Sequence, residues 1–554
     1  MKKINLFKSD SSSSSVSYCD YTYPESEILK NKYGIQNSQY LDKQCRSDSD
    51  KAAVLLRQEP LPPKINSNYL KHIHKCLFES SFEWAGHTRD LPFTFEDGTI
   101  ANISKMLIPE STAFFQDSNK IKKQLQKFDN ILSQKKELQG LSREEFIDEA
   151  VKLFSFLNYI HPFRDGNGRT QRLFFERLAE AAGHTLDFSV VTKQRMINAC
   201  SNAIPKENSV VNYKEMKHLF EDISNPKKLR LLKDFLDSLP EYERSYLDNH
   251  VVIMPQNDII YTGRYKESSP DSIIIVTKDS YVVYCKDYLA PEELKALKVG
   301  ESVTFSVLGN KDLDKILVPA ENLAPLKQEE IIQKIKNNTR VQDCQKKVED
   351  LAKIVYGDPK VLDQIENYII QDAKDGERIS NTILKDPKSI SKLSGFKIMS
   401  KIKSPARICA ERNLLPLSQE ILAYTAAIIS SRDKIIHDHN LEQKRLKNSI
   451  KMPSTVIQNL LIMSPNMRGQ YLGTRDCFEL QKEICSFLLQ INNRFSKDQL
   501  ETIKRSNYEK IAKDIGISES KAKVLLITLL EMKKLYQQLQ KMRISQPAKM
   551  TIAV

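Results

Sequence analysis

The sequence predicts a multidomain, mainly α-helical protein: a helical N-terminal region, a small β-barrel connector and a C-terminal helical bundle. Three observations carry that expectation. The chain has 554 residues and a mass of 63.7 kDa, too long for one hydrophobic core and enough for three or four domains at about 150 residues each. Apolar residues recur at spacings of three and four through most of the chain, but switch to short β-branched runs after His250. The net charge of +13 is unevenly spread: residues 1–325 hold 44 Lys and Arg against 45 Asp and Glu, whereas residues 326–554 hold 40 against 26.

Composition narrows the class. Hydrophobic residues make up 40% and charged residues 28%, which fits a soluble globular chain and not a disordered one. The longest uncharged apolar run lies around Ile421–Ser430, well short of the ~20 residues a membrane span needs. The start, MKKINLFKSDSSSSS, has a basic tip but no apolar stretch behind it, so no ordinary secretory signal is expected. The nine cysteines are odd in number and contain no CxxC pair, which points to a reducing compartment. His72, His74 and Cys76 alternate in KHIHKC, but without a second ligand cluster the alternation does not predict a metal site. Neither GxxxxGK[ST] nor HExxH occurs.

The elements follow in order. Residues 1–20 are Ser- and Lys-rich and read as unstructured. Residues 21–235 read as a helical domain. Lys120–Lys136 is a lysine-rich helix. Ser142 followed by Glu145 is a capping box for a helix that buries Phe146, Ala150, Leu153, Phe154 and Leu157. That helix stops at HPFRDGNG, and a second starts near Asn167, with Leu173, Phe174, Leu178 and Ala181 on its buried face and Gly183 at its C-terminal end. Residues 240–325 hold the runs VVIMP, DIIYTGRY, DSIIIVTKDSYVVYC and ESVTFSVLG with one short helix at Pro291–Leu297, the pattern of an OB-like barrel. Residues 330–461 return to helical spacing. Val341, Cys344, Val348, Leu351 and Val355 form one face, and further helices are expected over Val361–Leu384 and Ser418–Asn448. A basic helical region, 462–554, closes the chain, with several helices between Gln481 and Leu539. Aromatic residues are sparse in this basic part, so nucleic acid is not the expected partner.

The most informative stretch is HPFRDGNGRTQR, His161–Arg172. A glycine-bearing helix start offers free N–H groups and a positive dipole end, which suit a phosphate. Gly166 and Gly168 let the backbone approach an anion. Asp165 is a hard oxygen ligand for Mg²⁺. Arg169 and Arg172 share a helix face and suit the distal phosphates. His161 supplies a base of near-neutral ordinary pKa. A helix stop, a turn or a solvated arginine is commonplace singly; all of them in this order within twelve residues make a phosphate-transfer kit.

These residues resemble the full Fic motif, HPFx[D/E]GNGRxxR, with no departure at a specified position. The resemblance implies a protein adenylyltransferase that moves AMP from ATP to a target hydroxyl. His161 would be the base and Asp165 the Mg²⁺ ligand. Gly166, Asn167, Gly168, Arg169, Thr170, Gln171 and Arg172 would bind the nucleotide. Upstream, WAGHTRDLPFTFEDGTI (Trp84–Ile100) resembles the Fic β-hairpin flap, with Phe93, Thr94 and Phe95 positioning the target by strand pairing. Fic proteins often carry an inhibitory [S/T]xxxE[G/N] helix. The Glu-Asn pairs at Glu207, Glu321 and Glu366 have Ala203, Leu317 and Leu362 four residues earlier. None matches, so the inhibitor is either absent or a separate small antitoxin-like protein.

Residues from about Val341 to Leu461 resemble the BID domain of Bartonella effectors. VYGDP (Val355–Pro359), PKSISKLSGF (Pro387–Phe396), SPARICAERNLLPL (Ser404–Leu417), EQKR (Glu442–Arg445) and Pro453-Ser454 carry the match. The order Fic, OB-like connector, BID implies a type IV secretion substrate: made in the bacterial cytoplasm, docked on a coupling protein through BID, and delivered into a host cell. A small GTPase is the target class by family analogy alone. Two other readings stand beside it. One is a host-interaction scaffold without catalysis; the other is a Fic enzyme that transfers another nucleotide or removes AMP.

Overall fold

A computed structural model describes residues 18–19, 21–108, 114–205, 210–306, 313–363, 369–370, 372, 374–398, 402–473 and 478–545. The chain divides into two compact units, Met1–Cys285 with Lys298–Gly309, and Lys286–Leu297 with Asn310–Val554. No described helix is long and apolar enough to cross a membrane.

The first unit is built on the helices Ser38–Gln58, Ser67–Phe78, Ser118–Gln134, Arg143–Ile160 and Asn167–Ala181. Local chemistry sets their ends. Asn37 and Asn66 cap the first two by accepting the N–H groups two and three residues on. Both bonds of the Ser142–Glu145 capping box are present. Phe146, Ala150, Leu153, Phe154 and Leu157 are buried, as their spacing predicts. The helix ends where His161 turns into left-handed backbone, φ 47°. The next begins after Gly166, φ 77°, and Gly183 follows its last turn at φ 80°.

A short hairpin pairs Phe93–Thr94 with Ile100–Ala101. Its turn is closed by Asp97, whose Oδ1 accepts the Thr99 N–H at 2.8 Å. Tyr18–Cys19, inside the stretch read as unstructured, add a parallel third strand to Ile100–Ala101. Two residues are too few to show a strand period. Residues 1–17 and 20, also in that stretch, lie outside the described residues, as does 546–554.

The β-rich stretch forms strands Val251–Ile253, Ile260–Ser268, Ser272–Val276, Ser280–Cys285 and Ser302–Ser306. Each expected run contributes a strand, with 307–309 of the last one outside the described residues, but the sheet does not close into the expected barrel. Its order is 251–253, 280–285, 272–276, 260–268, 302–306. The two edge strands do not pair among the described residues, and the outermost one, Val251–Ile253, is only three residues long. Strand patterning reports extended backbone and burial; closure depends on strand number, tilt and stagger, which it does not encode. Asp222 ties this sheet to the helices. Its buried carboxylate accepts from Arg195 Nη2 at 2.7 Å, Lys228 Nζ at 2.8 Å and the Met254 N–H at 3.2 Å.

The second unit packs Thr339–Tyr356 and Lys374–Lys385 against the long helix Leu414–Leu446. Val341, Val348 and Val355 are buried there, and Cys344 and Leu351 pack beside them. Gly376 allows close approach, because a Cβ there would lie 2.0 Å from Thr425 Oγ1. The helix expected over Val361–Leu384 instead begins with a 3₁₀ turn, Pro359–Leu362, and its last part starts at Lys374, capped by Asp372; residues 364–368, 371 and 373 lie outside the described residues. A second cluster gathers Phe478–Arg494, Lys497–Lys504, Tyr508–Ile515 and Glu519–Ser545. The pair Ile316–Val318 and Ile450–Lys451 joins it.

Candidate active site

The loop His161–Gly166 is pinned on both sides by buried groups. Phe163 is buried, and Asn167 clasps it: Oδ1 accepts the Phe163 N–H at 3.0 Å and Nδ2 donates to its carbonyl at 2.9 Å. Thr170 Oγ1 donates to the Gly166 carbonyl at 3.0 Å. Gly166 meets two separate demands. Its φ of 77° disfavours a side chain, and a Cβ would lie 2.4 Å from Phe78 Cε2. Gly168 is different: a Cβ would meet only Arg172 Nη1, at an ordinary 3.5 Å. The protein itself therefore makes no steric demand for glycine at 168. The missing Cβ keeps open the space over the helix start, where the N–H groups of residues 167–169 precede the first intrahelical bond, Thr170 N–H to the Gly166 carbonyl.

His161 stacks on Phe115 with ring centroids 3.7 Å apart. Burial, aided by the Arg89 guanidinium, pushes its pKa down to about 3, so the ring is neutral. Nδ1 is buried with no hydrogen-bond partner, which leaves Nε2 as the ring nitrogen an incoming hydroxyl can reach.

Arg89 and His74 went unrecognised in the sequence as parts of this site. Arg89 is 1% exposed. Its Nε donates to the His161 carbonyl at 2.8 Å, its Nη2 to the Gln116 carbonyl at 2.6 Å, and its N–H to the Pro162 carbonyl at 2.9 Å. Burial lowers its pKa to about 10, so it stays charged. His74 accepts the Gly86 N–H on Nδ1 at 2.8 Å, which leaves Nε2 to donate to the Asp165 carbonyl at 3.0 Å. Its ring stacks on Phe163 at 3.8 Å, and burial pushes its pKa down to about 3. It braces the loop through the main chain. The signal was present: Leu70, Ile73 and Leu77 mark the buried face of the same helix. Arg89 had no comparable signal, because its partners are carbonyls brought together only by the fold.

The two arginines diverge in their contacts. Arg169 lies over the Phe78 ring at 4.5 Å, reaches Ser49 Oγ at 3.1 Å and pairs with Asp165 at 3.5 Å. Burial, with help from Arg169, lowers the pKa of Arg172. Both line a cavity of about 210 Å³ together with Ser49, Asp50, Arg57 and Glu176. Gln171 is buried, and its Nε2 has no partner. Asp165 is half-exposed, and no group of three or more His, Cys, Asp and Glu converges among the described residues. A single hard oxygen fits an ion that arrives on phosphates better than one held in a protein cage.

The hairpin places its residues unequally. Phe95 is buried, and Phe93 packs on it at 5.1 Å and on Tyr21 at 6.4 Å. Thr94 is exposed. The outer edge of Phe93–Thr94 carries no further strand among the described residues. Of the three Glu-Asn pairs, 207 and 366 lie outside the described residues, and Glu321 pairs with Lys295 at 2.7 Å in the second unit.

Residues 64–179, which contain this loop and hairpin, match the family described as Fic/DOC family, and the chain belongs to that family. The kinship extends beyond the matched segment. A curated relative, "Protein adenylyltransferase" of Bartonella henselae, is 39% identical over 533 residues, 96% of each chain. Among solved structures, "Type IV secretion system effector protein BepA" is 45% identical with a TM-score of 0.50, covering 52% of this chain and 96% of that one. The BID domain of Bep6 from Bartonella rochalimae is 37% identical with a TM-score of 0.23, covering 24% of this chain and 95% of that domain.

Proposed function

We propose that the chain transfers AMP from ATP to a hydroxyl side chain of a host target protein. The target oxygen attacks the α-phosphorus, His161 Nε2 takes its proton, the bond to the β-phosphate oxygen breaks and pyrophosphate leaves. The observation that carries this reading is the open helix start at Asn167–Arg169, bordered by a neutral imidazole on one side and a two-arginine cavity on the other.

Each residue then has a defined task. The N–H groups after Gly166 hold the α-phosphate as charge develops on it. The Asn167 side chain fixes Phe163, so this residue's share in phosphate binding comes from its main chain. Arg169 and Arg172 hold the distal phosphates, and Thr170 and Gln171 keep the first turn in place. Asp165 would hold Mg²⁺ bound to the nucleotide. That ion would neutralise phosphate charge. A target segment adds to the free edge at Phe93–Thr94 by main-chain pairing, with Phe93 and Phe95 anchoring the hairpin and not choosing the target.

A Fic domain spans 21–235, a connector 240–325, a BID domain 330–461 and a basic helical region 462–554. The basic C-terminal part docks on a type IV coupling protein before delivery from the bacterial cytoplasm into a host cell. A small GTPase is the target class by analogy, and a small antitoxin-like protein is the inhibitor, acting at Arg172. Incubation with α-labelled ATP and eukaryotic lysate tests the activity. A discrete labelled band with the wild type and none with His161→Ala supports it; labelling by His161→Ala at the wild-type rate overturns it.

A further inference from the structure

We infer that Ser49 is a positioning residue for nucleotide transfer: it holds Arg169 in the pose that meets the distal phosphates. The inference rests on the phosphate-gripping role proposed for Arg169. Ser49 lies on helix Ser38–Gln58, outside the family match at 64–179, and 120 positions from its partner.

Arg169 is gripped mainly from one end. Its Nη1 donates to Ser49 Oγ at 3.1 Å and to the Cys45 carbonyl at 3.3 Å. Its guanidinium carbon lies over the buried Phe78 ring, 4.5 Å from the centroid. Nη2 faces Asp165 Oδ2 at 3.5 Å, an ion pair too long for a good hydrogen bond. Nη2 is therefore the end that can exchange its partner for a phosphate oxygen while Nη1 stays in place.

The surroundings of Ser49 suit this task. It is 1% exposed, so water does not compete for its oxygen, and it lines the cavity that holds both arginines. Its hydroxyl hydrogen goes to the Arg46 carbonyl at 3.1 Å, which leaves the oxygen's lone pairs for Arg169. Its helix is anchored one residue earlier: Tyr33 donates to Asp48 Oδ2 at 2.6 Å, and the same hydroxyl lies 2.9 Å from Ser81 Oγ. An unheld arginine gives up rotamer freedom on meeting phosphates; one already fixed gives up less.

The test is calorimetric titration of the full chain with ATP and, separately, with AMP, which has no distal phosphates. Both proteins carry His161→Ala so that ATP is not consumed, and one also carries Ser49→Ala. Alanine is the stronger helix former, so the variant is expected to fold; urea unfolding read by the buried Trp84 checks this. Loss of a hydrogen bond to a charged group should weaken ATP about tenfold and leave AMP unchanged. A merely structural role would weaken both ligands alike. ATP affinity untouched by Ser49→Ala, or an equal loss for AMP, overturns the inference. Absence of ATP binding by His161→Ala alone would instead overturn the reading of the site on which the inference rests.

Discussion

Replacing Gly166 by alanine carries two separable penalties. The first is backbone: φ is 77°, and a non-glycine residue in that region costs about 1–2 kcal/mol. The second is steric. The new methyl would lie 2.4 Å from Phe78 Cε2 and 2.5 Å from Cζ, and Phe78 is fully buried in the core. Overpacking of this kind costs about 1–3 kcal/mol, so the sum is about 2–5 kcal/mol. The chain supplies its own probe. Trp84 is the single tryptophan; it is buried and stacked on Phe82 at 4.5 Å, so its fluorescence follows the first unit alone. Urea unfolding read by Trp84 should show the full loss in Gly166→Ala. Adding Phe78→Leu removes the ring atoms that clash, so the double variant should recover the steric part and leave the backbone part. A coupling of about 1–3 kcal/mol is expected. A loss below about 0.5 kcal/mol in Gly166→Ala, or no coupling to Phe78→Leu, refutes the geometry assigned to the loop.

Other consequences follow from the same groups. Arg89→Lys keeps the charge but loses the fork that reaches the Gln116 and His161 carbonyls; about 2 kcal/mol of lost positioning should lower kcat roughly thirtyfold with ATP affinity retained. Asp222→Ala leaves Arg195 buried without its carboxylate and should cost about 3–5 kcal/mol in the Trp84 transition. His74, held near 3, takes up no proton in the folded state at pH 5, whereas the unfolded chain does below about 6.5. Stability is therefore full above that pH and should fall by about 2 kcal/mol for this residue between pH 7 and 5. His161 and His218, lowered to about 3 and about 4, act in the same direction. A urea midpoint unchanged between those pH values would contradict the neutral assignments.

The sequence read furthest where structure is local. The Ser142–Glu145 box, the stop at His161 and the restart at Asn167 each depend on a few neighbouring residues, and each lies where it was expected. The strands after His250 were visible as runs, but their open order was not, because closure is set by register between distant segments. The same divide crosses the site. Loop residues were legible as a string, whereas Arg89, Phe115 and Ser49 reach it from 45 or more positions away in sequence. His74 is the intermediate case: its burial followed from helical spacing, but its bond to the Asp165 carbonyl did not. Cys200, near Arg172, has its thiol pushed up to about 12 by burial and stays protonated, which nothing in its neighbouring residues suggested.

Gripping the nucleotide and moving the proton fall to different residues of this site, and one paired measurement tests that division. ATP affinity by calorimetry and transfer of α-label are measured on the full chain for wild type, His161→Ala and Arg172→Ala. His161→Ala should bind ATP as the wild type does and transfer nothing, while Arg172→Ala should lose affinity. Wild-type transfer by His161→Ala, or undiminished binding by Arg172→Ala, would contradict it.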